Sequence, residues 1–110
     1  MPEHEGPSDP EGLKARSAAL PDSPGVYLFK GPGDSVLYVG KALSLRKRTA
    51  SYFNQKGSEN PKVRALLSQS LQLDFVLSSD ENEALVLESN LIKKHRPRYN
   101  ILLRDDKSYP

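Results

Sequence analysis

The chain has 110 residues, 36% of them hydrophobic, with no tryptophan, no cysteine, and 16 Lys and Arg against 14 Asp and Glu. That length builds one small domain, and zero cysteines exclude disulfides, thiol catalysis and Cys-ligated zinc while fitting a cytoplasmic setting. No run of about eighteen apolar residues offers a membrane span, and the polar, acidic start carries no signal-peptide pattern.

The net charge of +2 is unevenly placed. Residues 1–12 hold Glu3, Glu5, Asp9 and Glu11 and no Lys or Arg, which leaves residues 13–110 with 16 basic and 10 acidic groups. The basic residues gather as Arg46-Lys47-Arg48 and as Lys93-Lys94-His95-Arg96-Pro97-Arg98. Such clusters suit a polyanion such as nucleic acid, or they are a solvated basic surface.

In chain order, residues 1–12 are rich in Pro, Gly and acids and read as a disordered tail. Residues 13–20 can form two helical turns before Pro21-Asp22-Ser23-Pro24 breaks the chain. Gly25 to Lys30 and Ser35 to Val39 read as strands around a Gly31-Pro32-Gly33-Asp34 turn. A four-residue loop sets Lys30 opposite Ser35 and Tyr27 opposite Tyr38, which places both phenols on one face. Gly40 is expected to end the second strand. Ser44 caps a helix from Leu45 to about Phe53, on which Arg48 and Tyr52 stack four residues apart. Asn60-Pro61 opens another helix, with Val63, Leu66, Leu67 and Ser70 on its inner face. Leu71 to Leu77 is a third strand, with Leu71, Leu73, Phe75 and Leu77 on one side. Asp80 and Glu83 make a capping pattern for a helix that Pro97 closes, and residues 98–110 read as loop or extended tail.

Glu88 is the anomaly of that last helix. At about 100° per residue it falls between Ala84 and Ile92 on the apolar side, which Leu87, Leu91 and Leu85 complete. A carboxylate facing the core is costly without a partner. It is either half of an ion pair with an Arg or a ligand for a metal ion. His4, in the tail, and His95, at a helix end, make a poor metal pair, and neither is assigned as a ligand.

Gly25-Val26-Tyr27 and Tyr38-Val39-Gly40, eleven residues apart by their tyrosines, resemble the paired signature of the GIY-YIG nuclease family, with Val for Ile in both triplets. Leu37 to Ala42, Arg48, Ser51-Tyr52-Phe53, Glu83-Ala84-Leu85, Leu87-Glu88 and Arg96-Pro97-Arg98-Tyr99-Asn100 extend the match, and together they resemble the family's excision-repair branch. The resemblance implies an α+β fold, a small three-stranded antiparallel sheet flanked by helices. The domain would be residues 13–110, continuing into a longer chain. The resemblance further implies hydrolysis of a DNA phosphodiester on the 3′ side of a lesion, with damaged duplex DNA and a loading protein as partners. Glu88 becomes the ligand of one divalent cation, Mg²⁺ or Mn²⁺. Arg48 contacts the scissile phosphate and Tyr38 is the general base. Tyr27, Lys41, Tyr52 and Asn100 fall on further active-site positions. Arg46, Lys47, Lys93, Lys94, Arg96 and Arg98 are left to hold the DNA backbone. A nuclease of the same family with a homing, restriction or exonuclease-fused role, or a non-catalytic nucleic-acid-binding module, stays open beside this reading.

Overall fold

The computed structural model describes residues 10–54, 57 and 59–104, so residues 1–9 of the expected tail, with His4, lie outside it. Strands β1 (Gly25–Lys30), β2 (Val36–Ala42) and β3 (Gln72–Leu77) form one antiparallel sheet in the order β2-β1-β3. Among the described residues the flanking helices are α1 (Pro10–Ala18), α2 (Leu45–Ala50), α3 (Pro61–Gln69), α4 (Glu81–His95) and α5 (Arg98–Arg104). This is the expected α+β architecture.

The caps read from the sequence are in place. Ser44 Oγ accepts from Lys47 N–H at 3.2 Å, and Asn60 Oδ1 accepts from Lys62 N–H at 2.9 Å. Asp80 Oδ1 accepts from Glu83 N–H at 2.9 Å. Each satisfies a first-turn donor that the helix itself leaves open. Helix α1 starts at Pro10, ahead of the expected Leu13, and α2 stops at Ala50 instead of Phe53.

The hairpin register differs from the expected one. Gly31 N–H donates to Ser35 O at 2.8 Å around the 3₁₀ turn Pro32–Asp34, so the loop is one residue longer and Lys30 pairs with Val36. A bulge between Phe29 and Lys30 then shifts the ladder by one more residue. Phe29 therefore faces Tyr38, and Tyr27 faces Gly40. Two single-residue shifts make an even number, so no side chain changes face. Tyr27 and Tyr38 remain together as diagonal neighbours, ring centroids 6.2 Å apart.

Gly40 does not end β2, which runs on to Ala42. Its role is clearance. A Cβ at position 40 would lie 2.5 Å from the Cζ and Oη of Tyr27, whose ring crosses the glycine.

The sheet separates two apolar layers. On one side Tyr27, Phe29, Tyr38 and Leu73 pack with Leu13, Leu20, Leu45, Tyr52, Val63, Leu66 and Tyr99 from the other helical segments. On the other, Val26, Leu28 and Val39 meet Ala84 of α4, with Val36, Leu87, Leu91 and Ile92 around them. Leu85, expected on that inner face, is 50% exposed, which centres the buried stripe on Ala84. In β3 only Leu73 of the four expected inward residues is buried, because this edge strand is covered mainly at its middle, by α1.

The segment after Pro97 is a helix, not the expected loop or tail. Proline ends α4, but its fixed φ also suits a helix start. Asn100 N–H donates to Pro97 O at 3.2 Å, and Arg96 turns the corner at φ 45, ψ 58. Helix α5 packs on β2 and α3.

Candidate active site

Three phenols and one guanidinium converge on the side of the sheet away from α4. Tyr27 and Tyr38 come from β1 and β2, Tyr52 from the turn after α2, and Arg48 from α2 itself. The rings pack at angles, with Tyr52 centroids 5.8 Å from Tyr27 and 6.4 Å from Tyr38. The Oη atoms of Tyr27 and Tyr52 share a hydrogen bond of 2.8 Å. Arg48 Nε donates to Tyr27 Oη at 3.4 Å, and its Cζ lies 5.9 Å from the Tyr52 centroid. The expected stacking of Arg48 and Tyr52 survives although the helix ends between them. The phenols thus hold the stem of Arg48, while the residue as a whole is exposed.

Their electrostatics separate these groups by role. Burial pushes the Tyr27 hydroxyl up to about 12, with Tyr38 adding to the rise and Arg48 opposing it. Burial likewise holds Tyr52 well above the ordinary phenol range. Interaction with Tyr27 raises the Arg48 guanidinium further above its own high value. Near neutral pH the two phenols are protonated hydrogen-bonding groups and Arg48 is a fixed cation.

Glu88 and Lys41 lie on the other side. Glu88 is half-buried on α4, the helix that packs on β1 and β2. Its carboxylate forms no ion pair among the described residues, so the Arg partner allowed by the sequence is not found there. Lys41 pairs with Val26 in the ladder and sits 3.9 Å from Glu81 of α4. Asn100 lies at the border. Its Oδ1 accepts from Val39 N–H and its Nδ2 donates to Val39 O, both at 2.9 Å, closing the outer edge of β2 between Tyr38 and Gly40. The helices that carry Glu88 and Asn100 both pack on β2, the edge strand that carries Lys41.

Of the basic residues, Arg46 is 3.5 Å from Asp22, which spends part of its charge within the fold. Lys47, Lys93, Lys94, Arg96 and Arg98 are exposed. No three His, Cys, Asp or Glu side chains converge as a metal site among the described residues. Sequence reasoning missed the buried hydroxyls of Ser17 and Thr49. The available signal was a polar residue four positions after an inward leucine in each case, Leu13 and Leu45.

The sequence profile of the UvrC-like GIY-YIG domain matches residues 23–101. The chain belongs to the UvrC-like GIY-YIG family. UvrABC system protein C of Alkaliphilus metalliredigens is 48% identical over 98 residues, covering 89% of this chain and 16% of that protein. The protein of the same name from Desulforudis audaxviator is 57% identical over 91 residues, covering 83% and 14%. The chain therefore spans about one-sixth or less of the length of these relatives. The GIY-YIG N-terminal endonuclease domain of UvrC from Thermotoga maritima, a crystal structure bound to its catalytic magnesium, superposes with a TM-score of 0.74 at 39% identity. The match covers 82% of this chain and 97% of that one. Tyrosine-to-phenylalanine and asparagine-to-alanine variants of that UvrC domain also carry the catalytic divalent cation.

Proposed function

We propose that this chain is a divalent-metal-dependent endodeoxyribonuclease domain of the UvrC type, cutting one DNA phosphodiester on the 3′ side of a lesion in nucleotide excision repair. The observation that carries the reading is the pair of groups flanking β2. A guanidinium seated on phenols lies on one side and a half-buried carboxylate without an ionic partner among the described residues on the other. A phosphate reaching both would lie along the β2 edge that Asn100 closes.

The donor set fits the cation carried by the Thermotoga domain. One carboxylate suffices for a hard dication that keeps most of its waters, such as Mg²⁺ or Mn²⁺, whereas zinc asks for three or four protein ligands. Glu88 would hold the ion. When bound, the cation supplies positive charge against the negative charge that builds on the phosphate oxygens. The Thermotoga variants that keep their cation without one tyrosine hydroxyl or one asparagine amide support a carboxylate as the holder.

The remaining residues take roles by chemistry. Hydrolysis forms a bond from water oxygen to phosphorus and breaks one phosphorus–oxygen ester bond, and the proton lost by the water balances the one the departing alkoxide oxygen takes up. Arg48 offers a planar fork for the phosphate. Tyr27 and Tyr52 are hydrogen-bonded to each other and Tyr27 to Arg48, and Tyr38 takes the general-base role through its place in the second signature triplet of the family, passing the water proton on. Lys41 adds positive charge on the Glu88 side. Asn100 keeps β2 in place, and Arg46, Lys47, Lys93, Lys94, Arg96 and Arg98 grip phosphates along the duplex. The partners of this reading are damaged double-stranded DNA and UvrB as the loading protein, with UvrA upstream, in the cytoplasm.

The test is a nicking assay on lesion-bearing duplex preloaded with UvrB, with and without Mg²⁺. A single incision 3′ to the lesion that needs the metal is expected. Cutting that ignores the metal, or none with UvrB and Mg²⁺ present, overturns the proposal.

A further inference from the structure

Helix α2 carries Arg48 but has only six residues. A helix that short does not hold its own geometry in water, so its position is set from outside. Its first turn is tied to the preceding segment, with Leu45 N–H donating to Ser23 O at 3.0 Å and Arg46 N–H to Pro21 O at 3.1 Å. Its last turn is held by Thr49, which is fully buried next to Arg48 in the chain. Thr49 Oγ1 is 2.8 Å from Leu45 O and 2.8 Å from the Oγ of Ser17, which is 1% exposed on α1.

The direction of that bond follows from counting protons. Leu45 O can only accept, so the single hydroxyl proton of Thr49 points to it. Ser17 must then donate to Thr49. Helix α1 is itself fixed to the far edge of the sheet, strand β3, by the neighbouring residue. Arg16 Nε donates to Leu73 O of β3 at 2.9 Å, and its guanidinium lies 5.6 Å from the Phe75 centroid. Two adjacent residues of α1 therefore link β3 to the helix of Arg48. The family profile begins at residue 23 and does not include α1.

We infer that the Ser17–Thr49 hydroxyl pair positions Arg48, which makes α1 part of the catalytic scaffold. The inference rests on the reading of Arg48 as the phosphate contact. The Arg48 Nε to Tyr27 Oη distance of 3.4 Å is already long for a hydrogen bond, so a small displacement of α2 breaks it. Misplacement of a catalytic group by about 1 Å costs on the order of 10²-fold in rate.

The test compares variants of the complete protein in the incision assay. Ser17→Ala combined with Thr49→Val removes both hydroxyls and leaves no orphaned donor, so its melting temperature should stay close to that of the parent. Its kcat should fall about tenfold or more with KM unchanged. Thr49→Ser, which keeps the hydroxyl, should retain the parental rate. In an Arg48→Ala background the double change should have no further effect, because a positioning pair has nothing left to position. If the double variant melts early, Ser17→Ala alone carries the test, since Thr49 keeps its bond to Leu45 O. Parental kcat in the double variant, or in Ser17→Ala where that variant carries the test, overturns the inference if Arg48→Ala is slowed to a low but measurable rate. Additive losses in the Arg48→Ala background also overturn it. An Arg48→Ala protein that still nicks normally overturns the underlying reading instead, and the inference with it.

Discussion

Tyr27 accepts from Arg48 and shares a hydrogen bond with Tyr52, so two of its three hydrogen-bonding positions are used inside the protein. Its hydroxyl is pushed up to about 12 from an ordinary value of 10.0. A folded-state value above the unfolded one contributes stability that is complete below the unfolded pKa and is lost as pH rises through the folded one. Stability should therefore fall between about pH 10 and 12, and Tyr52 shifts in the same direction. Tyr27→Phe should remove part of that alkaline loss. It should also cost about 1–3 kcal/mol at neutral pH, because it strands the buried Tyr52 hydroxyl and the Arg48 Nε–H. Thermal melts of both proteins from pH 8 to 12 check this, and parallel curves for the two would contradict it. At this scale Glu88 and Arg48 were legible as an acid on an apolar face and a cation on a short basic helix. The restraint of Tyr27 was not legible, since it depends on where α2 docks and on the absence of a Cβ at Gly40.

At the scale of elements, both edges of the sheet are closed by side chains from flanking helices. Asn100 of α5 bonds the Val39 backbone twice, and Arg16 of α1 bonds Leu73 O. Unpaired edges invite pairing with other chains, so these side chains protect the fold while placing α5 beside Tyr38 and Gly40. Asn100→Ala should lower stability by about 1–3 kcal/mol through the loss of both hydrogen bonds. It should also speed amide exchange at Val39 specifically, as hydrogen exchange would show; unchanged protection at Val39 would contradict this role. The strand cores, the caps at Ser44, Asn60 and Asp80, and the apolar stripe of α4 were readable because each depends on local periodicity or one side chain. The hairpin register and α5 were not. A bulge has no composition signal of its own, and Pro97 both stops one helix and suits the start of the next.

Across the whole molecule, the sheet holds the arginine–tyrosine cluster on one face and the α4 carboxylate on the other, with β2 as their common border. The exposed basic residues at the end of α4 and at Arg98 extend the charge beyond that border. Binding made mainly through phosphates gives DNA affinity with a steep salt dependence and little sequence preference. Replacing Lys93 and Lys94 by Ala should reduce affinity and flatten the slope of log K against log salt by about one unit for each phosphate no longer neutralised. Arg46→Ala should do less, because Asp22 already shares its charge. Binding isotherms across a salt series check the order of these effects, and a salt-insensitive or sharply sequence-selective affinity would contradict it.

The division of labour across β2 is tested most directly by Glu88→Gln, measured as nicking rate, DNA affinity and thermal melt on the same protein. The amide is nearly isosteric but a much weaker ligand for a hard dication, and the change removes a half-buried charge without an ionic partner among the described residues. Incision should be abolished, DNA affinity should persist because the basic residues are untouched, and the melting temperature should hold or rise. A Glu88→Gln protein that nicks at near the parental rate, or one that unfolds, would contradict the account.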